Sequence, residues 1–317
     1  MISVVIPAHN PDAARLRLVL AALRAQTLPI ADWETIVVDN ASTRWPDERD
    51  LAAWAPANVS VLREGRLGLS AARRAGLAAA RGSGAVLVDD DNVLAPDYLA
   101  CAGTLLASRP AVGIAGGRVL PRFESEPPAW AREFFGLLAL CDHGPVELIA
   151  PGARGGRLAE GAYPRFAPVG AGMVLRREAA AAWLGQPADR PAPTDRRGAE
   201  LSSGGDNDIV LHALRAGWEV CYNPALRLEH LVPAARLQAD YLARLNRGIQ
   251  RSWMQVLSAH GVNPWPPLTP AGARLRQAKA WFAYRGWSRP VGRIRWQGAC
   301  GHFDGRVPPP PGKAGSP

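Results

Sequence analysis

Residues 84–97 read GAVLVDDDNVLAPD. Ala85 to Val88 form a short apolar run that leads directly into Asp89, Asp90 and Asp91. A run of this length, bounded by turn residues, predicts a buried strand. The carboxylates then fall at the strand's carboxyl end, the edge where open α/β sheets bind ligands. Adjacent acids repel one another unless positive charge holds them. A hard divalent cation, Mg²⁺ or Mn²⁺, would do so through oxygen ligands and would bring phosphates with it. A solvated acidic loop is the alternative reading.

Outward from this stretch, strand and helix patterns alternate. Ile2–Ile6 predicts a strand closed by Pro7. Residues 11–26, with Leu16, Leu18, Leu20 and Leu23 and with Pro11 at the start, predict a helix. A strand at Thr35–Val38, a short helix at 47–54, a strand at Val59–Leu62 and an Ala-rich helix at 69–81 follow. Beyond the acids come a helix at 96–108 and a strand at Val112–Ile114. This alternation predicts an α/β fold with a mixed, mostly parallel sheet and helices on both faces. Residues 117–168 are Gly/Pro-rich and longer than a simple connector, which suits a functional loop. A second block has a strand at Gly170–Leu175, a helix at 177–184, a polar loop at 185–204, a helix at 206–216 and a strand at 218–222. The expected organisation is 1–232 as one α/β domain, with halves 1–116 and 117–232. A helical, basic region follows at 233–306, and a low-complexity tail at 307–317 is expected to be disordered.

Composition narrows the class. The 317 residues are 48% hydrophobic, enough for a sizeable core. No apolar stretch approaches the ~18 residues of a membrane span. The start, MISVVIPAHN, has no charged leader or cleavage site and reads as a strand rather than a signal peptide. Cys101, Cys141, Cys221 and Cys300 match no zinc or disulfide pattern, so a reducing cytoplasm is expected. Of the net charge of +9, residues 271–317 carry nine Lys/Arg against Asp304 alone. Within 273–296, Arg274, Arg276, Lys279, Arg285, Arg289, Arg293 and Arg295 interleave with Trp281, Phe282, Tyr284, Trp287 and Trp296. That mixture suits an anionic membrane surface, and hence a peripheral location at the inner face of the cell membrane. It also suits a helical subdomain whose tryptophans pack on the body. Nucleic acid is the weakest of the three partners, because no recognised binding module accompanies the charge.

Further constellations have both plain and chemical readings. Pro7-Ala8-His9-Asn10 and Val38-Asp39-Asn40-Ala41-Ser42 end neighbouring parallel strands beside the acids. They can be turn formers, or His9 can stack on a base and Asp39 accept hydrogen bonds from it. Gly68-Leu69-Ser70-Ala71-Ala72-Arg73-Arg74-Ala75-Gly76 opens a helix whose N-terminus suits a diphosphate, or is an ordinary capped helix. Gly204-Gly205-Asp206-Asn207-Asp208 places two acids at a helix start, where they cap the helix or supply a general base. His230, after Leu228-Glu229, is a structural histidine or a metal ligand.

Taken in order, VVIPAHN, VVDNAS, GLSAARRAG, VDDDN, GAGMVLR, GGDNDIVLHALRAGWEV and LEH resemble family 2 glycosyltransferases of the GT-A fold, over roughly residues 2–232. Among them the likeness is to non-processive bacterial enzymes of polysaccharide and glycolipid synthesis. The resemblance implies a nucleotide-sugar donor, UDP-linked, held by Pro7, His9, Asn10, Asp39, Ser42, Gly68, Arg73, Asp89 and Asp90. It implies Mg²⁺ or Mn²⁺ on Asp91 with Asp89 and His230, and Asp206 as the base. Gly205 departs from the family by replacing the acid expected before that base, which leaves Asp208 as a rival. The Gln-x-x-Arg-Trp motif of processive synthases is missing, since Gln250-Arg251-Ser252-Trp253 has the wrong spacing; a single transfer is expected. The acceptor would be a saccharide or lipid-linked saccharide, with the loop 117–168 and the segment 185–204 shaping its site. A base on one face of the sugar and a metal on the other imply inversion, with no carboxylate nucleophile. Two rivals are a sugar-phosphate nucleotidyltransferase, which would need a Gly-rich basic loop after the first strand, and a non-catalytic module acting through its basic tail on nucleic acid or membrane.

Overall fold

The computed structural model describes residues 1–159, 161–187 and 201–308. Strand β1 (Ile2–Ala8) is buried along its whole length and lies in parallel register between β2 (Trp33–Asn40) and β4 (Gly84–Leu87). Strand β3 (Val59–Glu64) continues the parallel set beyond β2. Helix α1 (Ala13–Arg24) starts where the Asp12 side chain accepts from the Arg15 N–H at 3.0 Å. It buries Leu16, Val19, Leu20 and Leu23, the i, i+3, i+4, i+7 stripe. Leu18, expected on that face, lies off the stripe and is exposed. Helix α2 (Glu48–Trp54) precedes β3, and α3 (Leu69–Ala79) precedes β4. Gly76 lets α3 lie flat on the sheet, because a Cβ there would stand 2.3 Å from Val5 Cγ1.

After the acids, β5 (Asn92–Leu94), α4 (Tyr98–Ser108) and β6 (Val112–Phe123) follow, then β7 (Leu148–Ala150), β8 (Val174–Arg176), α5 (Arg177–Leu184), α6 (Gly205–Arg215) and β9 (Glu219–Val232). The sheet order is β3-β2-β1-β4-β8-β6-β9-β5, with β7 also on β9. β8 runs antiparallel to β4 and β6, and β5 and β7 run antiparallel to β9, so the sheet is mixed as expected.

The loop expected over 117–168 is more ordered than its composition implies. Arg118–Phe123 extends β6 along Arg227–Val232, and Ala129–Leu138 forms a 3₁₀ helix. The pairing is long-range, and its outer half is exposed, so no local periodicity announces it. Gly117 is the hinge: a Cβ there would lie 2.0 Å from the Leu226 carbonyl oxygen, so only glycine lets β9 come alongside.

The chain closes with α7 (Ala239–Ala259), α8 (Pro270–Ala283) and α9 (Pro290–Gly305). Gly298, Gly301 and Gly305 face α7 so closely that a Cβ at 301 would stand 2.1 Å from the Arg247 carbonyl oxygen. Leu242 and Leu245 of α7 share a core with Phe134 and Leu138 of the 3₁₀ helix and with Ile294. Two of the seven cations expected on the membrane-facing stretch are engaged elsewhere: Arg293 pairs with Asp240 at 2.8 Å and Arg295 with Glu133 at 2.6 Å. Trp281 packs on Trp296, with ring centroids 4.6 Å apart. Leu275, Phe282 and Trp287 stay 58%, 69% and 59% exposed. Among the described residues no helix is long and apolar enough to cross a membrane, and all four cysteines are free. Of the expected disordered tail, residues 309–317 lie outside the described residues, as does 188–200 of the segment assigned to the acceptor.

Candidate active site

The parallel register brings Ala8 beside Asp39 and Val5 beside Leu87, so three strand ends meet at one edge. The loops there are tied together. Asn10 and Ala41 hold left-handed backbone, with φ of 48° and 52°, which non-glycine residues seldom adopt. The Asn10 side-chain oxygen accepts from the Thr43 and Arg44 N–H groups at 2.9 and 2.8 Å, and Asn10 N–H donates to the Ser42 hydroxyl at 2.9 Å. Asn40 accepts from Gly68 N–H at 2.8 Å and donates to the Arg66 carbonyl at 2.7 Å, which sets the entry to α3. Asp39 is buried, and one of its oxygens accepts from Ser42 N–H at 2.9 Å.

A cavity of about 330 Å³ opens at this edge. Pro7, His9, Arg73, Asp89, Asp90, Asp91, Asp206 and His230 all line it, so residues spread over most of the chain converge. Asn10, Asp39, Ser42 and Gly68 stand outside the lining and brace the loops behind it. Sequence reasoning missed several lining residues. Asn40 was visible only as a turn former and Gly170 only as a strand residue. Arg236, Tyr241, Leu245 and Ile249 lie in the C-terminal region, set apart by its basic composition, yet α7 forms a wall of the cavity.

Arg73 sits at the centre, 2% exposed. Its Nη1 donates to Asp206 Oδ1, and its Nη2 lies 3.3 Å from Asp89 Oδ1. Burial opposes its charge, but Asp206 and Asp89 outweigh burial and hold the guanidinium protonated. The second oxygen of Asp206 accepts from Gly170 N–H at 2.8 Å. Asp206 lies in the first turn of α6, where the helix dipole favours an anion. A Cβ at Gly205 would meet the Ser70 hydroxyl at 3.0 Å, so the acid that the family pattern expects there would crowd α3.

Asp208 does not share the cavity lining. Its carboxylate accepts from His260 Nε2 at 2.8 Å and from Trp183 Nε1 at 2.9 Å, with His212 Nε2 at 3.5 Å. Burial raises its pKa, but the bonds from His212 and His260 outweigh burial and hold it well below the usual carboxylate range. Asp208, His212 and His260 bring ligand-type atoms within 4.8 Å of one another. This cluster clamps the end of α7 to α6 and is separate from the acid triplet. Of the two acids at the start of α6, Asp206 lines the cavity and Asp208 does not.

Within the triplet, Asp91 is buried, with Oδ2 3.3 Å from His230 Nε2 and 3.1 Å from Arg236 Nη1. Burial would raise its pKa, but the hydrogen bond and charge of His230, with Arg236, bring it down to about 2. Burial and the two neighbouring carboxylates push Asp90 up to about 7. The His230 ring nitrogen Nδ1 lies 2.9 Å from the Leu138 carbonyl and donates to it. That bond fixes the ring, so that Nε2 faces the Asp91 carboxylate and the Arg236 guanidinium. Asp91 Oδ2 and His230 Nε2 are thus a neighbouring oxygen and nitrogen of the kinds a divalent cation takes, while Asp89 Oδ1 is turned to Arg73.

The family model described as Glycosyl transferase family 2 matches residues 3–183. A curated relative, the uncharacterized protein y4gI of Sinorhizobium fredii, is 35% identical over 114 residues, which are 35% of this chain and 12% of that protein. The match therefore spans only a small part of the relative's length. Among solved structures, the mannosyltransferase PcManGT from Pyrobaculum calidifontis, in complex with GDP-Man and Mn²⁺, superimposes with a TM-score of 0.59 at 18% identity, over 96% of this chain and 86% of that one. TarS 1-349 of S. aureus, in complex with UDP, gives a TM-score of 0.50 at 14% identity, over 96% and 90%. At these identities the likeness establishes the fold.

Proposed function

The chain belongs to glycosyl transferase family 2, and on that premise we propose that it transfers a single sugar, with inversion, from a nucleotide-sugar donor to a hydroxyl of a saccharide or lipid-linked saccharide. The observation that carries this reading is the convergence of Asp206 and the acid triplet on one cavity, with Arg73 between them. The donor's base would lie against Pro7 and His9, in front of the loop that Asp39 braces, and its diphosphate near Asp89, Asp90 and the start of α3. An acceptor hydroxyl, far too weak an acid to ionise at neutral pH, would give its proton to Asp206 as it attacks the anomeric carbon. Such a positioned base supplies about 10²–10⁴ in rate. Gly170 N–H and Arg73 fix the carboxylate that receives the proton. Mg²⁺ or Mn²⁺ held by Asp91, Asp89 and His230 would neutralise charge on the departing nucleoside diphosphate. The solved relatives carry UDP in one case and GDP-Man with Mn²⁺ in the other, which supports a donor of this class.

We also assign the exposed face of α8 and the following turn to an anionic membrane surface. Leu275, Lys279 and Phe282 follow i, i+4, i+7 spacing on the outward face of α8, and Phe282 meets Trp287 with ring centroids 5.9 Å apart. Arg274, Lys279, Arg285 and Arg289 make no ion pair among the described residues. A face of this kind suits a lipid-linked acceptor.

A donor screen tests the main reading. The protein with Mn²⁺ is mixed with UDP- and GDP-sugars, and thermal shift and slow donor hydrolysis are recorded. One donor is expected to stabilise the fold and to be hydrolysed, with both effects lost in EDTA. Failure of every nucleotide sugar to bind would overturn it.

A further inference from the structure

Arg236 stands where the proposed cation would bind. It belongs to the 3₁₀ helix Ala234–Leu237, which leaves β9 just after His230. Its Nη1 lies 3.1 Å from Asp91 Oδ2 and 3.1 Å from His230 Nε2, the two atoms that face each other across the metal seat. A guanidinium and a dication cannot both occupy that seat, because both would press on one carboxylate oxygen and on each other.

The two arginines of the site differ in a way that assigns them different tasks. Arg73 is 2% exposed and committed to two carboxylates. Arg236 is 25% exposed at its side chain and lines the cavity, and its Nε and Nη2 have no hydrogen-bond partner among the described residues. Those donors form the planar fork that binds a diphosphate in bidentate fashion. An arginine that has spare donors, faces the cavity and rests on the cation seat is placed to exchange one anion for another.

We propose that Arg236 is an internal counter-ion for Asp91 that yields its seat to the metal and then binds the donor's diphosphate. The inference rests on the glycosyl-transfer reading above and adds a residue to it. It makes metal binding alone weak and nucleotide binding strong, because only the nucleotide offers the displaced guanidinium a new partner. Metal and nucleotide would therefore bind cooperatively.

The test uses the full chain. Mn²⁺ alone is titrated and free ion is followed by its paramagnetic resonance signal; UDP and GDP are then titrated calorimetrically with Mn²⁺ present. Arg236→Gln is expected to bind Mn²⁺ alone about tenfold more tightly than wild type and the preferred nucleotide about tenfold more weakly. Arg236→Lys, with the charge but not the fork, should fall between them on both measures. Unchanged or weaker Mn²⁺ binding by Arg236→Gln, or undiminished nucleotide binding, would overturn the inference while leaving the glycosyl-transfer reading intact. If Arg236→Gln does not fold, the Arg236→Lys values decide, and equality with wild type on both sinks the inference. A wild-type chain that takes up neither Mn²⁺ nor nucleotide would end both.

Discussion

Arg73 and Asp206 stand 133 residues apart in the chain and form an ion pair at the floor of the cavity. The pair joins the helix after β3 to the helix before β9, so the two halves of the sheet are locked together by the residues that face the substrate. Asp89 completes the bridge from the acid triplet.

Asp206→Asn keeps the shape of the side chain and a partner for one Arg73 nitrogen, but it cannot accept a proton. Donor binding should remain within a few-fold of wild type, while transfer falls by about 10²–10⁴. Calorimetric donor titration beside steady-state turnover separates the two effects. Unchanged turnover would remove Asp206 from the mechanism.

Gly170→Ala tests the positioning of the pair. The new Cβ would stand 2.2 Å from Arg73 Nη2 and 2.6 Å from Asp206 Oδ1, so the pair must shift. A displacement of about 1 Å at a reacting group costs about 10² in rate. The expected result is a fall in kcat of that size with a cooperative melting transition retained. Wild-type kcat would show that the pair tolerates the shift.

Asp208 should govern acid stability rather than turnover. Its pKa is depressed in the folded chain relative to the ordinary 3.8, by bonds from His212 and His260 that outweigh burial. A depressed carboxylate contributes stability that is present above its unfolded value and is lost as pH falls below it. Asp208→Asn should therefore be less stable at pH 7 by about 2 kcal/mol, and should lose less than wild type between about pH 4 and pH 2. Urea midpoints across that range check the sign; parallel pH curves for the two proteins would contradict it.

The outward face of α8 predicts binding to anionic vesicles. Wild type should co-sediment with phosphatidylglycerol vesicles, less at high salt, and not with phosphatidylcholine. Arg285→Ser with Arg289→Ser should weaken this by about 2 kcal/mol, near 1 kcal/mol per cation. Phe282→Ser with Trp287→Ser should weaken it by removing the inserted rings, while donor hydrolysis in solution stays unchanged. Equal binding to both lipids would exclude the assignment.

The sequence alone determined the strands that carry the acids, because β1, β2 and β4 are apolar runs buried on both faces and their ends are marked by Pro7, Asp39 and Asp89. Local order also marked α1, which Asp12 caps, and α3 and α6, which start at Gly68 and Gly204 without a side-chain cap and show in their periodicity alone. From these pieces, the acid triplet, Arg73, Asp206 and His230 could be named as members of one site. Tertiary structure decided what each of them faces. The sequence placed Arg73 near a diphosphate; packing turned it inward onto Asp206 and Asp89. Two acids at the start of α6 were equivalent by spacing, until His260, from the end of α7, claimed Asp208. Arg236 had no local signal, since one arginine after a proline predicts nothing, and only the return of β9 to the sheet edge set it on Asp91. Elements form from interactions between near neighbours and are legible in order along the chain. A charge's partner is fixed by long-range pairing and close helix contacts, which depend on the whole fold.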